Sequence, residues 1–311
     1  MITTHAACLA AALIIDALLG EPDFLWRRLP HPAVLMGRAV SALDRGWNRG
    51  SARRIKGVAA LLVLVTGAFG LGLAIEALPL GPVWSVLCAA VLLAQKSLCQ
   101  HVAAVAAALR QGLPEGRQAV AMIVGRDTRD MDASAIGRGA IESAAENLSD
   151  GVVAPAFWYL LLGLPGILAY KAVNTADSMI GYRTPRHEAF GWAAARFDDL
   201  VNLVPARLTA LIIAALWSLW GAAGAIIAEA RRHRSPNAGW PEAAASRALG
   251  IALSGPRSYD GVMRDYPYVN PEGKREIGAA EIDASVGLLW RVWAALLGLA
   301  LLIAAIAPAI R

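Results

Sequence analysis

The chain has 311 residues, of which 57% are hydrophobic and only 17% charged, with a mean hydropathy of +0.49. An ordinary soluble domain carries about a quarter of its residues charged, so this composition argues against one and for an integral-membrane protein. The net charge of +5 does not imply a nucleic-acid partner, because no basic run is interleaved with aromatics and Lys or Arg beside membrane helices on the cytoplasmic side give the same balance.

Six apolar stretches predict helices, at about 3–19, 55–78, 83–94, 151–173, 203–228 and 286–307; four of them approach or exceed the roughly 20 residues that span a bilayer. The first is interrupted by Asp16, lacks a preceding basic residue and shows no convincing cleavage site, so it is expected to be a retained helix, not a secretory signal. The second and third are joined by Pro79-Leu-Gly-Pro82, a turn with two helix breakers that predicts a hairpin. The third can run on as a helix through Gln95 and Lys96 toward Leu109.

The fold class expected is all-α: one polytopic integral-membrane helical bundle over residues 1–311, with about six apolar segments and polar helical or loop insertions at about 20–54, 95–150, 174–202 and 229–285. These insertions carry seven, six, three and eight Lys or Arg. The positive-inside rule puts the first, second and fourth in the cytoplasm, and simple alternation sends 174–202 outside. Gly163-Leu-Pro165-Gly166 offers another solution, a re-entrant pair of half-helices in place of a span. Cys8, Cys88 and Cys99 have no paired spacing and read as small buried residues.

The polar insertions hold the candidate chemistry. Asp16-Ala-Leu-Leu-Gly-Glu21-Pro-Asp23 precedes His31-Pro32, where His31 suits a capping or turn residue as well as a ligand. From Val124 to Asp150 the chain gathers Asp127, Asp130, Asp132, Glu142, Glu146 and Asp150. A helix beginning near Ala133 sets Glu142, Glu146 and Asp150 four apart on one face with Asn147. Hard cations such as Mg²⁺ take such oxygens together with substrate phosphates, and Arg126, Arg129 and Arg138 can answer phosphate charge. For any one of these acids a solvated, ion-paired helix face is the plainer account.

Further on, Lys171, Asn174, Asp177, Ser178 and Gly181 share a helical stripe. In Arg196-Phe-Asp198-Asp199-Leu-Val-Asn202 the adjacent carboxylates point about 100° apart, so Asp199 and Asn202 can face one partner and Asp198 another. Arg207 enters an apolar run and needs an anion or a neighbouring carboxylate. The turn-rich stretches around Asn237, Trp240 and Glu242 and around Tyr259 and Asp260 suit binding loops or plain turns. No P-loop, His-Glu-x-x-His, Gly-x-Ser-x-Gly or paired Cys-x-x-Cys occurs.

In this order the motifs resemble those of the CobD/CbiB family of cobalamin biosynthesis, over nearly the whole chain. They are Asp16-x-x-x-Gly-Glu-Pro with His31-Pro, Val-Gly-Arg126-Asp127-Thr, Ile-Glu142-Ser-Ala-Ala-Glu146-Asn147-x-x-Asp150-Gly, Tyr-Lys171-Ala-x-Asn174-Thr-x-Asp177-Ser, Arg196-x-Asp198-Asp199-x-x-Asn202-x-x-Pro-Ala-Arg207 and Pro-Asn237-Ala-Gly-Trp240-Pro-Glu242. Glu21 stands where the family commonly has Asp.

The resemblance implies an adenosylcobinamide-phosphate synthase, an ATP- and Mg²⁺-dependent acid–amine ligase of the bacterial inner (cytoplasmic) membrane. It would join adenosylcobyric acid to (R)-1-amino-2-propanol or its O-phosphate through an acyl phosphate. On this reading Glu142, Glu146 and Asp150 serve the metal. Lys171, Asp177, Asp198 and Asp199 carry the chemistry, with Asp198 or Asp199 handling the amine. Arg126, Asp127, Asn147, Asn174, Asn202, Arg207, Asn237, Trp240 and Tyr259 bind nucleotide or corrinoid. The Glu142–Asp150 face is expected to be one wall of a composite site opposite Asn174, Asp177, Asp198 and Asp199. Self-assembly, or association with other corrinoid-pathway enzymes, stays open. Two rivals remain: an intramembrane Mg²⁺-dependent prenyltransferase-like enzyme, and a transporter or membrane sensor in which Asp16, Glu76, Lys171 and Arg207 line a path.

Overall fold

The computed structural model describes residues 1–259 and 262–306; of Asp23, Ser258, Tyr259 and Met263 only the backbone is described. The helices, in chain order, are α1 (Ile2–Leu19), α2 (Asp23–Trp26), α3 (Pro32–Trp47), α4 (Arg53–Glu76), α5 (Gly81–Leu92), α6 (Gln95–Gln111), α7 (Leu113–Ala121), α8 (Ala133–Leu148), α9 (Ala154–Ile180), α10 (Trp192–Val201), α11 (Leu203–Leu216), α12 (Ala223–Ala230), α13 (Gly239–Leu249) and α14 (Ala279–Ile306). A π-helical turn, Ser149–Val153, links α8 to α9. Four short strands, β1 (Leu253–Ser254), β2 (Arg257–Tyr259), β3 (Val262–Arg264) and β4 (Tyr268–Val269), form the antiparallel pairs β1–β4 and β2–β3. The protein is a predominantly helical polytopic membrane bundle, with six helical stretches among the described residues long and apolar enough to cross a bilayer. Helix α4 alone, at 24 residues, reaches about 36 Å, more than the roughly 30 Å of hydrocarbon. Its exposed Val58, Leu62, Val63, Leu71 and Leu73 form an apolar surface of the kind lipid covers.

By contacts the chain divides into two compact units. The first comprises residues 1–94, 154–203 and 297–311; the second comprises 95–153 and 204–296. The expected continuation of the third apolar helix into Gln95 does not occur. Leu93 turns extended (φ −77°, ψ 151°) and α6 starts afresh at Gln95, so α5 and α6 belong to different units.

In the first unit α4 and α5 form the expected hairpin, packed against α9. Helix α9 is not one rod. Gly163 has φ 68° and ψ −154°, a conformation that a side chain would strain. A Cβ added at Gly166 would lie 2.4 Å from the Trp158 carbonyl oxygen, although eight residues of straight helix would separate the two by about 12 Å. The chain therefore doubles back at Gly163 as a re-entrant pair of half-helices.

The broken backbone is satisfied internally, as a membrane interior requires. The Glu76 carboxylate accepts from Leu164 N–H at 2.8 Å and from Ser85 Oγ at 3.3 Å. Ser85 also bonds the Tyr159 hydroxyl at 2.7 Å, and His5 Nδ1 lies 3.2 Å from the Leu160 carbonyl.

At the other end of α4, the loop after α9 is tied to the α3–α4 turn. Arg186 pairs with Asp44 at 2.5 Å, Asn48 donates to the Arg186 carbonyl at 3.0 Å, and Arg54 stacks over Trp192 at 3.8 Å. Residues 44–54 and 186–192 thus share one face. This corrects the alternation that sent 174–202 to the face opposite 20–54: the half-helices of α9 return the chain to the side it left.

In the second unit α8 packs on α6, α7 and α13. It starts where the sequence predicts, with Asp132 as N-cap accepting from Ala135 N–H at 2.6 Å. Helix α13 ends on Gly250 in the left-handed region.

Candidate functional site

The residues of the expected composite site fall in both units, so each cluster stands by itself. In the first unit α9 presents Lys171, Asn174 and Asp177, and the ten-residue α10 presents Asp198 and Asp199. Asp198 is buried, and its carboxylate accepts from Asn174 Nδ2 at 3.3 Å and from Asn202 Nδ2 at 3.1 Å. Asn202, also buried, accepts in turn from the Tyr170 hydroxyl at 3.0 Å. The pairing of Asn202 with Asp198 corrects the sequence expectation, which set Asn202 beside Asp199. Residues four apart meet on a helix at least as well as residues three apart; Asp199, half-buried, lies toward Arg196 at 3.8 Å. Asp177, Asp198 and Asp199 stand close enough to sense one another's charge. The result is a half-buried cluster of three carboxyls, fixed from behind by neutral amides and a tyrosine.

His31 is a cap: its Nδ1 accepts from Ala33 N–H at 3.2 Å, with Pro32 opening α3. Its ring stands edge-on to Trp26, and burial lowers its pKa below the usual histidine value. Asp16 is buried on α1. Asp44 keeps its charge: burial would raise its pKa, but hydrogen bonds from Arg186 and Asn48 outweigh that and hold it below the ordinary carboxylate value.

The second unit carries a different cluster. Glu142, 5% exposed, receives Arg126 at 2.7 Å, Arg257 at 3.1 Å and the Ser254 N–H at 2.7 Å. Gly139, one turn back on α8, admits the Arg126 guanidinium, since a Cβ there would sit 2.9 Å from its Nη2. Glu146 and Asn147 are exposed and Asp150 is half-buried; Asn147 donates to the Ser143 carbonyl at 2.9 Å. Asp150 does not prolong the α8 face, because the π-helical turn from Ser149 changes the register. Asp127 and Arg129 form a loose surface pair at 3.5 Å.

Arg207, Asn237 and Trp240 come together. The guanidinium lies 4.5 Å from the indole centroid, a cation–π contact, and donates to Asn237 Oδ1 at 3.4 Å. The Tyr259 side chain and Asp260 lie outside the described residues.

Sequence reasoning named Glu242 only as part of its motif and passed over His233. Glu242 is 4% exposed, its Oε1 is 3.7 Å from His233 Nε2, and its Oε2 has no hydrogen-bond partner. Burial, reinforced by the nearby Glu142 and Glu146 charges, raises the Glu242 pKa well above the ordinary carboxylate value. The His233 pKa is lowered, by burial first. Glu242 closes the Pro-Asn237-Ala-Gly-Trp240-Pro motif, so its place was visible, but its burial was not.

Among the described residues no three His, Cys, Asp or Glu side chains are grouped so as to hold a metal by themselves. Mg²⁺ does not need such a cage, since it is usually held by one or two carboxylates together with substrate phosphates and waters. The exposed Glu146 and half-buried Asp150 fit that pattern better than Glu142, whose Oε2 serves two arginines and whose Oε1 accepts from the Ser254 N–H.

Spanning helices with charged clusters set along them define a polytopic membrane protein whose polar chemistry lies on its helices. The chain belongs to the CobD/Cbib family, whose model, described as CobD/Cbib protein, matches residues 9–289. It is 51% identical to the Cobalamin biosynthesis protein CobD of Rhizobium meliloti (strain 1021) over 299 residues, 91% of each chain. It is 50% identical to the protein of that name from Rhodobacter capsulatus over 274 residues, 85% of this chain and 87% of the relative. The Brucella suis protein of that name is 46% identical over 308 residues, 94% of each chain. No solved structure matches.

Proposed function

We propose that the protein acts in cobalamin biosynthesis as an ATP- and Mg²⁺-dependent acid–amine ligase, joining adenosylcobyric acid to (R)-1-amino-2-propanol or its O-phosphate. The observation that carries this reading is the family match over residues 9–289, together with relatives named for cobalamin biosynthesis. The geometry is compatible with what the reaction needs. The substrate carboxylate attacks the γ-phosphorus and displaces ADP. The amine nitrogen then attacks the acyl carbon, phosphate leaves with one carboxylate oxygen, and the amine gives up a proton.

Bound Mg²⁺ supplies charge neutralisation on the triphosphate. Glu146 and Asp150 are the residues that would hold it, and the Arg126 side chain, fixed by Glu142, places positive charge on the same helix face. Asp198 is suited to orient the amine or accept its proton: it is buried, it is held in one geometry by Asn174 and Asn202, and it adjoins two further carboxylates that attract an ammonium. Arg207 over Trp240 offers a flat, cationic surface for a large amphipathic ring bearing polar side chains.

A prenyltransferase-like reading keeps one supporting observation. The first unit, which carries the aspartates, also has an apolar cleft of about 490 Å³ lined by Leu35, Met36, Val40, Leu64 and Leu168. Binding of a corrinoid by the purified protein, with no binding of an isoprenyl diphosphate, supports the ligase. The reverse result supports the transferase, and ATP hydrolysis dependent on both cosubstrates excludes a transporter.

A further inference from the structure

Helices α3 and α4, both in the first unit, pack against each other and against α9. Near the turn that joins them they close tightly: the space bounded by Val40, Leu43, Gly57, Leu61 and Leu64 amounts to about 10 Å³, no more than one water needs. Farther from the turn the same helices stand apart. Small residues face the gap there, Ala39 and Ala42 on α3 and Gly67 and Ala68 on α4, and leave the apolar groove of about 490 Å³, to which α9 contributes Leu168 and Ala172.

Every residue lining the groove is Leu, Met, Val, Ala or Gly. A buried water needs roughly two to four polar partners, and a diphosphate needs charged donors; the walls offer neither. An apolar cavity of about 150 Å³ is enough to bind benzene. The groove, at about 490 Å³, has room for a hydrocarbon chain of on the order of a dozen carbons.

Its position says where such a chain comes from. The α4 wall, at 63–71, lies inside a helix long and apolar enough to span the bilayer. Leu35 lines the groove from α3, Val63 and Leu71 line it from α4, and all three are also exposed. Val63 and Leu71 belong at the same time to the apolar surface that α4 turns to lipid. The groove is an inward extension of that surface, and the hydrocarbon that fills it is drawn from the bilayer.

We propose that one acyl chain of a bilayer phospholipid occupies this groove, intercalated between α3 and α4 and packed on α9. The site does not depend on the ligase reading. It sets a lipid chain against the helix that presents Lys171, Asn174 and Asp177. An isoprenyl chain and a helix of a second copy are the other apolar occupants, and the experiment tells each apart.

The full chain, delipidated in mild detergent, is titrated with dioleoyl phosphatidylglycerol and followed by native mass spectrometry. One lipid is expected to bind ahead of the weaker uptake of further ones. Gly67→Phe fills the groove from α4, where a Cβ meets nothing within 4 Å, and Ala39→Leu fills it from α3. Both are expected to weaken binding of the first lipid about tenfold or more, because each excluded methylene forfeits its own transfer free energy, with the lipid-free melting temperature unchanged or higher. Gly70→Phe adds the same ring to α4 outside the groove lining, again where a Cβ meets nothing within 4 Å, and is expected to bind lipid as the wild type does. Should Gly67→Phe fail to fold, Ala39→Leu carries the comparison. Equal lipid affinity in the wild type and the groove variants overturns the proposal, as does a wild type that takes up no lipid ahead of the rest. Farnesyl diphosphate that binds more tightly than the phospholipid, and is lost in the groove variants, gives the groove to an isoprenyl chain. A wild-type dimer that falls apart in the same variants gives it to a second copy, and either result overturns the proposal too.

Discussion

Asn202 and Asp198 are joined twice: the Asn202 amide donates to the Asp198 carboxylate at 3.1 Å and to its main-chain carbonyl at 3.2 Å. The carboxylate is thus fixed at the end of α10 by a neighbour that adds no charge. Asp198→Asn keeps the shape and removes the base. It is expected to lower turnover about a hundredfold or more, the usual scale for a lost general base, with little change in melting temperature. Tyr170→Phe, which loses the bond to Asn202, is expected to cost much less. Steady-state assays of both variants check this, and full activity in Asp198→Asn removes it from the chemistry.

The Glu142 cluster predicts a loss of stability in place of a loss of turnover. Removing one partner of a buried, hydrogen-bonded ion pair costs about 3–5 kcal/mol, because the other charge is left stranded. Glu142→Ala strands both Arg126 and Arg257 and is expected to lower the melting temperature sharply, with or without Mg²⁺. A variant that melts normally but has lost its Mg²⁺ dependence would make Glu142 a metal ligand.

At the break in α9, Glu76→Ala leaves the buried Leu164 N–H without its acceptor, a cost of about 1–3 kcal/mol. Glu76→Gln keeps an acceptor oxygen and is expected to stay close to wild type. Gly163→Ala suffers twice, from its positive φ and from a Cβ 2.7 Å from Glu76 Oε1. Thermal melts in nanodiscs rank the three.

The two ends of α4 fix a topology that labelling can read. Because Arg186 is bonded to Asp44 and Asn48, cysteines placed at Arg186 and Arg49 are expected to react from the same side of the membrane. The positive-inside rule, applied to the seven Lys or Arg of 20–54, leads us to expect the cytoplasm on that side. Labelling from opposite sides contradicts the re-entrant reading of α9.

Two carboxyls give pH dependences of opposite sign. The Glu242 pKa is raised in the fold, so its contribution to stability is fully present below its unfolded pKa of about 4.3 and is lost as pH rises through the folded value. Glu242→Gln is expected to be the more stable protein at neutral pH and above. The Asp44 pKa is lowered. Its contribution is present above about pH 3.9 and is lost as pH falls through the lower folded value, modestly because Arg186 is largely exposed. Chemical denaturation across pH tests both signs.

Much of this was legible in the sequence. The start of α8 at Ala133, the α4–α5 hairpin and the turn at Gly163 follow from a cap, two prolines and a Gly-Pro-Gly cluster, all local signals. What was not legible depends on tertiary contact. The choice of Asn202 for Asp198 over Asp199, the capture of Glu142 by Arg257 more than a hundred residues away, and the burial of Glu242 need the folded chain. Simple alternation failed at 174–202 because it assumes that every long apolar stretch crosses the membrane.

Activation of a carboxylate by ATP and its transfer to an amine can be followed through ¹⁸O in the labelled carboxylate of adenosylcobyric acid during turnover with aminopropanol or its phosphate. The prediction is amide product with ADP in equal amount and one ¹⁸O in the released phosphate. No amide with either amine, or amide formed with no label in phosphate, contradicts it.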